Sequence, residues 1–535
     1  MTPSTAHPDA STAVRTVSLV SLGCPKNTVD SEKMLGLLAE AGLTVVSADA
    51  SEDADAVVVN TCGFLEASKE ESLGVIHDAL ERKGRGLVKR VVVAGCLVQR
   101  HRAKILDWAP GVDAMIGVFD RDHIVDAVTG GVAPRVGLDD NGATAPYWIA
   151  GNALAAAKER GRNVVGLTVN GRDGDGVGYF EADNARLRIT PRHYAYLRMS
   201  EGCNQRCAFC TIPSIRGPMH CKSVDEIVAE ARELIDDGAV ELNLIGQDTT
   251  SYGDDVGFGL NYDGKGGGGL PAVLRAVSDA IEKRAGGHGW ARLMYAYPST
   301  FTDEMIDAIA ELPHVVKYID MPLQHASDRM LKAMRRNVSA AHQRDLIERL
   351  RERMPGIAVR TTLITGFPGE TEEDHEAVLE FIEDVGFDML GVFEYSREDG
   401  TPAGTMEADP ALRVPAEVKA RRKDEIMSLQ QRIAFEQAEY VASHWNPKDP
   451  EESGLRFDVL LDERAESPDD DGLYTHSGRA YFQAPQIDSV TYVRTRQRLS
   501  PGELIRCVVV DSDGYDLIAR PAEELRASLS LPVVG

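Results

Sequence analysis

Between about Arg192 and Glu425 the chain repeats one unit six times, a short apolar strand followed by an amphipathic helix. The strands read as Tyr194–Met199, Glu241–Ile245, Arg292–Tyr295, Val316–Met321, Val359–Ile364 and Met389–Tyr395. Helices read as Val224–Asp236, Asp303–Leu312, Ser327–Arg335 and Glu372–Asp384. Strands separated by helices pair in parallel, because each crossover returns the chain to the same end of the sheet. Six units predict a partial (β/α)6 barrel rather than the closed eight. Polar residues follow the strands: Cys203 the first, Gln247-Asp-Thr-Thr250 the second, Gln324-His325 the fourth. Gly366-Phe-Pro-Gly369 follows the fifth and Ser396-Arg397 the sixth. That edge is where barrel enzymes build their active sites.

Cys203-Asn-Gln-Arg-Cys207-Ala-Phe-Cys210 brings three thiols within eight residues. Thiolates are the ligands of iron–sulfur clusters, so this run can wrap one face of a 4Fe–4S cube. A fourth cysteine nearby would close the site; without one, an iron keeps an open position for a substrate. The alternatives are a zinc knuckle, which favours paired C-x₂-C or Cys/His sets, and three unrelated buried thiols. A second triad is dispersed. From Arg15 to about Gly130 short strands (Val17–Leu22, Ala56–Asn60, Val91–Ala94, Ala114–Ile116) alternate with helices such as Ser31–Ala41, the pattern of a doubly wound parallel sheet. Cys24, Cys62 and Cys96 each follow one of these strands, beside a Gly or Pro. Strand ends of an open parallel sheet converge on one ligand-binding edge. A lone strand-end cysteine is usually buried, but three favour a second cluster.

At 535 residues the chain predicts about three domains. We place an N-terminal cluster domain at 15–130, a linker or insertion at 131–190, the barrel at 191–430 and a small all-β domain at 440–525. The insertion includes a helix near Ala150–Lys158 and a Gly/Asp run, Gly171–Gly178, read as a solvated loop; Gly264–Gly269 is read likewise. Residues 1–14 read as a disordered lead-in. A helix over Pro415–Tyr440 leads into strands at Leu455–Leu461, Leu473–Tyr481, Ile505–Asp511 and Tyr515–Ala519, enough for a small barrel. No run of 18 apolar residues and no signal peptide are evident. Eight sparse cysteines, six of them in two groups, fit metal ligation in a reducing cytoplasm. A net charge of −26 biases against nucleic acid, whose affinity depends on cationic contacts with phosphate.

The two triads, barrel and β-module together resemble the methylthiotransferase family across about residues 15–525. Its members join an N-terminal cluster domain, a radical S-adenosylmethionine (SAM) barrel and a C-terminal TRAM domain, an OB-like barrel. Ser21-Leu-Gly-Cys-Pro-Lys-Asn-Thr-Val-Asp-Ser31, Gln247-Asp-Thr-Thr-Ser-Tyr-Gly253, Met321-Pro-Leu-Gln-His325 and Phe393-Glu-Tyr-Ser396 resemble the branch acting on small-subunit ribosomal protein S-twelve. The tRNA branch would read Gly-Cys-Gln-Met-Asn at the first cysteine. The resemblance implies that Cys203, Cys207 and Cys210 hold the SAM-cleaving 4Fe–4S cluster. It implies that Cys24, Cys62 and Cys96 hold an auxiliary 4Fe–4S cluster carrying the sulfur to be inserted at an aspartate β-carbon. A second SAM would supply the methyl group. Gln247, Thr365 and Gly366 are candidates for positioning SAM, unless Gln247 and Thr365 merely cap helices.

Two features depart from the family pattern. Pro218-Met-His-Cys-Lys222 stands where a basic run is usual, which makes Cys221 an extra thiol, read as core rather than fourth ligand. Residues 146–185 also exceed the usual connector. From Val441 to the end, 10 Lys and Arg face 17 Asp and Glu, a surface suited to a basic ribosomal protein rather than RNA. The implied partners are therefore that protein, free or on the ribosome, a one-electron reductant and a sulfur donor. Alternatives are a tRNA adenosine methylthiotransferase and a non-catalytic iron–sulfur electron carrier.

Overall fold

The structure, a computed structural model, describes residues 13–47, 54–102, 104–130, 147–148, 183–254 and 268–527. Its first sheet has six parallel strands: β1 (Thr16–Ser21), β2 (Thr44–Val46), β3 (Ala56–Thr61), β4 (Arg90–Gly95), β5 (Ala114–Ile116) and β6 (Tyr147–Trp148). Their spatial order is β2-β1-β3-β4-β5-β6. Alternate residues of the central strands feed two cores. Val17, Val58 and Val92 pack with Met34, Leu35 and Leu38 on one face. Val57, Val91 and Val93 pack with Ile76 and Leu97 on the other. Helices on both faces explain why β3 is buried along its whole length and reads as a continuous apolar run.

The second sheet is also parallel, with β7 (Tyr194–Arg198), β10 (Glu241–Ile245), β11 (Trp290–Leu293), β12 (Val315–Asp320), β13 (Ala358–Thr365) and β14 (Met389–Glu394) in chain order. The six predicted units are therefore present as an open partial barrel. A two-residue antiparallel pair, β8 (Ser200–Glu201) with β9 (His220–Cys221), pins the base of the loop carrying Cys203, Cys207 and Cys210. The 28-residue helix Ala416–Ser443 then leads to a closed barrel of β15 (Arg456–Leu461), β16 (Tyr474–Ala480), β17 (Thr491–Thr495), β18 (Leu504–Asp513) and β19 (Asp516–Pro521). Predicted strands match within a few residues; β2, β6, β8, β9 and β17 were not foreseen. β17, Thr-Tyr-Val-Arg-Thr, buries its threonines, so its inward face carries a weak apolar signal. The readings at 1–12, Ala150–Lys158, Gly171–Gly178 and 264–267 lie outside the described residues; Gly269 opens the helix Gly269–Ala285.

The first two sheets meet through buried charge. Arg198 pairs with Asp30 (2.7 Å), Asp183 (2.6 Å) and Glu201 (2.8 Å). Arg121 bonds Asp30 and Asp183, both at 2.9 Å. Arg216 reaches Asp30 (3.1 Å) and Glu201 (2.9 Å), and Lys222 reaches Asp183 (2.7 Å) and Glu230 (2.6 Å). Four acids thus meet four bases, with Arg198 2% exposed and Arg216 1%. Burial disfavours the ionised acids, yet the guanidiniums of Arg198, Arg216 and Arg121 outweigh it and hold Asp30 well ionised. Asp183 belongs to the stretch read as linker, so the end of that stretch is packed structure. Arg198→Met takes one cation from three buried carboxylates, leaving four acids against three bases, and should destabilise the fold by about 3–5 kcal/mol. Urea unfolding followed by tryptophan fluorescence checks this; an unchanged midpoint would show that the network contributes no stability.

Candidate active site

The strand order reverses between β1 and β3, so the chain leaves their carboxyl ends in opposite directions and opens a crevice. Cys24 follows β1 and precedes the helix Pro25–Glu40, whose first position is the proline that needs no amide partner. Cys62 follows β3, and Cys96 opens the helix Cys96–His101 directly after β4. The turns are too tight for side chains at two glycines. At Gly23 (φ +90°) a Cβ would lie 2.8 Å from that of Cys62, and at Gly95 (φ +95°) 2.3 Å from Asn60 Oδ1. Asn27 gathers the three strand ends. Its Nδ2 donates to the carbonyls of Leu22 and Thr61, both at 2.9 Å, and its Oδ1 accepts from the Cys96 thiol at 3.5 Å.

On the facing sheet, the Cys203 N–H donates to the Gly217 carbonyl (3.2 Å), and the Ala208 N–H to that of Met334 (2.9 Å). These bonds fix both ends of the thiol loop. Cys203 Sγ accepts from the Gln205 N–H and Cys210 Sγ from the Ile212 N–H, each at 3.4 Å. Arg336 donates to Cys207 Sγ (3.4 Å) and stacks on Tyr297, its guanidinium carbon 4.0 Å from the ring centre. Across the gap Arg216 donates to Asn27 Oδ1 (2.5 Å) and Cys96 Sγ (3.3 Å). One guanidinium therefore spans from the segment following Cys210 to the frame that holds Cys24, Cys62 and Cys96.

All six predicted thiols line one cavity of about 300 Å³. Its other walls include Phe64, Phe209, Ile212, Ile215, Tyr295 and Tyr297. Burial pushes the thiols of Cys96, Cys203 and Cys210 up to about 12 and raises that of Cys62. Metal binding must therefore displace protons from them. Among the described residues no three His, Cys, Asp or Glu side chains are gathered closely enough for a single metal ion.

Of the three residues expected to position SAM, Gln247 lines the cavity. Its Nε2 donates to Glu201 (2.6 Å), while its buried Oε1 has no partner. Thr365 and Gly366 are not part of that lining: Thr365 is buried with an unpartnered hydroxyl, and Gly366 donates its N–H to Glu370 beneath the Lys419 side chain. Neither Gln247 nor Thr365 caps the helix that follows it; Gly268 and Thr371 do. Cys221 packs in the barrel core, 3% exposed, and accepts from the Gly253 N–H at 3.3 Å, away from the six-thiol cavity. Cys507 is buried in β18. Sequence reasoning assigned no role to Lys26, Asn27, Arg216, Tyr295 or Arg336. All but Asn27 line the cavity, and the signal for Lys26 and Asn27 was their place beside Cys24.

Comparison with known proteins gives the family. Residues 197–382 match the radical SAM superfamily, 16–117 the uncharacterized protein family UPF0004, and 454–521 the TRAM domain. A protein of Anaeromyxobacter sp. (strain Fw109-5) named ribosomal protein uS12 methylthiotransferase RimO is 40% identical, over 98% of this chain and 97% of its own. The proteins of that name from Desulforamulus reducens and Geobacter sulfurreducens are 36% and 37% identical, each over 95% of this chain and 99% of its own. Among solved structures, the radical SAM methyltransferase TsrM from Kitasatospora setae superposes with TM-score 0.48 at 15% identity, covering 74% of this chain and 76% of its own. With domain models along most of the chain and near-full-length relatives of one name, the chain belongs to the RimO family of radical SAM methylthiotransferases.

Proposed function

We propose that the protein adds a methylthio group to the β-carbon of an aspartate of ribosomal protein uS12. The observation that carries this reading is the convergence of both thiol triads on one cavity. An all-thiol donor set suits iron–sulfur clusters: Cys203, Cys207 and Cys210 would hold one, and Cys24, Cys62 and Cys96 the other. The unpartnered Oε1 of Gln247 on the cavity wall offers an acceptor to an incoming SAM. When bound, the clusters and SAM supply the one-electron chemistry that opens an unactivated C–H bond, together with the sulfur and methyl group.

The chain's own residues place and shield that chemistry. Phe64, Phe209, Ile212 and Ile215 keep water from the cavity. Arg336 and Tyr297 fix Cys207, and Asn27 fixes the strand ends bearing Cys24, Cys62 and Cys96. The net charge of −26 draws a basic protein substrate and repels phosphate. A one-electron reductant and a sulfur donor complete the reaction. The sparse free cysteines suit a cytoplasmic enzyme, and among the described residues no helix is long and apolar enough to cross a membrane.

Reconstituted enzyme given SAM, sulfide, reductant and either uS12 or tRNA should add the methylthio mass to uS12 alone. A gain confined to tRNA would overturn the reading. Cys203→Ala should abolish 5′-deoxyadenosine formation, measured by chromatography. Cys62→Ala should preserve it yet stop methylthiolation, lowering iron from about eight to about four atoms per chain. Full activity in Cys62→Ala would refute the auxiliary site.

A further inference from the structure

Three cations reach the six-thiol cavity, and two have protein partners. Arg216 is taken up by Asp30, Glu201, Asn27 and Cys96. Arg336 is taken up by Cys207 and the Pro322 carbonyl, over the ring of Tyr297. Lys26 is different. Only 5% exposed, it lines the cavity, and among the described residues no carboxylate, carbonyl or hydroxyl bonds its ammonium. Its ammonium lies over the face of Tyr295, with Nζ 3.2 Å from the ring centre.

A buried ammonium with no directly bonded anion is costly; the carboxylates of Glu201 and Asp320 act on Lys26 only from beyond bonding distance, and a cation–π contact returns only about 2 kcal/mol when desolvated. Its place adds to the cost. Lys26 lies in the first turn of the helix Pro25–Glu40, where the dipole favours negative charge, and that turn contains no acid. Tyr295 is itself held in the left-handed region (φ +61°), which a non-glycine residue adopts at a cost of about 1–3 kcal/mol. Its N–H donates to Asp320 (3.2 Å), and its carbonyl accepts from the Thr249 N–H (3.1 Å). The structure thus spends stability to hold an unpaired cation at the cavity wall.

We infer that Lys26 is the carboxylate-binding residue of this site, receiving the side chain of the residue to be modified and so selecting an acidic one. The inference rests on the protein-substrate reading above. In aspartate the β-carbon is bonded directly to the carboxyl carbon, so one ion pair fixes the reacting carbon to within a single bond. Tyr295 serves as a positioning residue that holds the ammonium over its ring face.

The test compares binding of reconstituted enzyme to uS12 and to uS12 whose modified aspartate is replaced by asparagine, by fluorescence anisotropy. Wild type, Lys26→Met and Lys26→Arg are measured, with SAM affinity and iron content alongside. Wild type should prefer the aspartate form by about 10- to 100-fold, the range of a hydrogen bond to a charged group. Lys26→Met should bind both forms alike, Lys26→Arg should keep part of the preference, and SAM affinity and iron content should not move. A preference retained in Lys26→Met overturns the assignment, as does an equal loss for both forms. A fall in SAM affinity would assign the ammonium to the carboxylate of SAM, and a fall in iron content would make it a counter-ion of the thiolates; either refutes the inference. If wild type binds neither form, the protein-substrate reading itself fails, and the inference with it.

Discussion

The buried pairing of Arg198 and Arg216 with Asp30, Asp183 and Glu201 is the contact on which the rest of the architecture depends. Removing eight charges from water costs more than most packing returns, so only a docking that satisfies every one is tolerated. An apolar interface could slide by a side chain's width; this one has a single register. That register sets the carboxyl edges of two parallel sheets against each other, and with them the thiols that follow their strands. Arg216 couples the two most directly, since its guanidinium touches both Asn27 and Cys96 while its backbone ends the short helix Ile212–Arg216 just beyond Cys210.

A second tie closes the opposite side of the cavity. Arg100 donates to the carbonyls of Gly63 (2.9 Å) and Phe64 (3.2 Å) and pairs at 2.8 Å with Glu398, which follows β14 of the other sheet. The Glu66 N–H donates to the same carboxylate at 3.2 Å. The segment after Cys62 is thereby held from both sheets. Cavity and junction are one construction: the bonds that bring the sheets together also fix the thiols, so the site needs no separate scaffold to keep water out of it.

What was legible in the sequence was whatever is written locally. Strand and helix periods gave six units in the barrel, and a Gly or Pro beside each of Cys24, Cys62 and Cys96 marked the strand-end turns. What was not legible was written at a distance. Arg198 and Asp30 are 168 residues apart, and neither position announces a buried ion pair. The rule that sites form at strand ends names an edge, not which loops along it face inward. It therefore placed Gln247 on the cavity but also nominated Thr365 and Gly366, whose turn is drawn beneath Lys419 by Glu370. Asp183 was hidden for another reason: a polar stretch reads as linker whether or not its end is claimed by three buried cations.

Charge is divided between surface and interior in a way that bears on recognition. The chain is acidic overall, while the interior network is balanced acid for base. The outer field decays over about 8 Å at physiological salt, so it bears on encounter more than on the choice of residue within the cavity. Inside, screening is weaker, and of the three cations at the cavity wall Lys26 alone has no hydrogen-bonding partner among the described residues. A basic substrate attracted by the surface would then meet, on the inference drawn for Lys26, a cation that a carboxylate side chain can neutralise. Attraction of a cationic protein and selection of an anionic side chain are thus compatible, since they act at different depths and through different dielectrics.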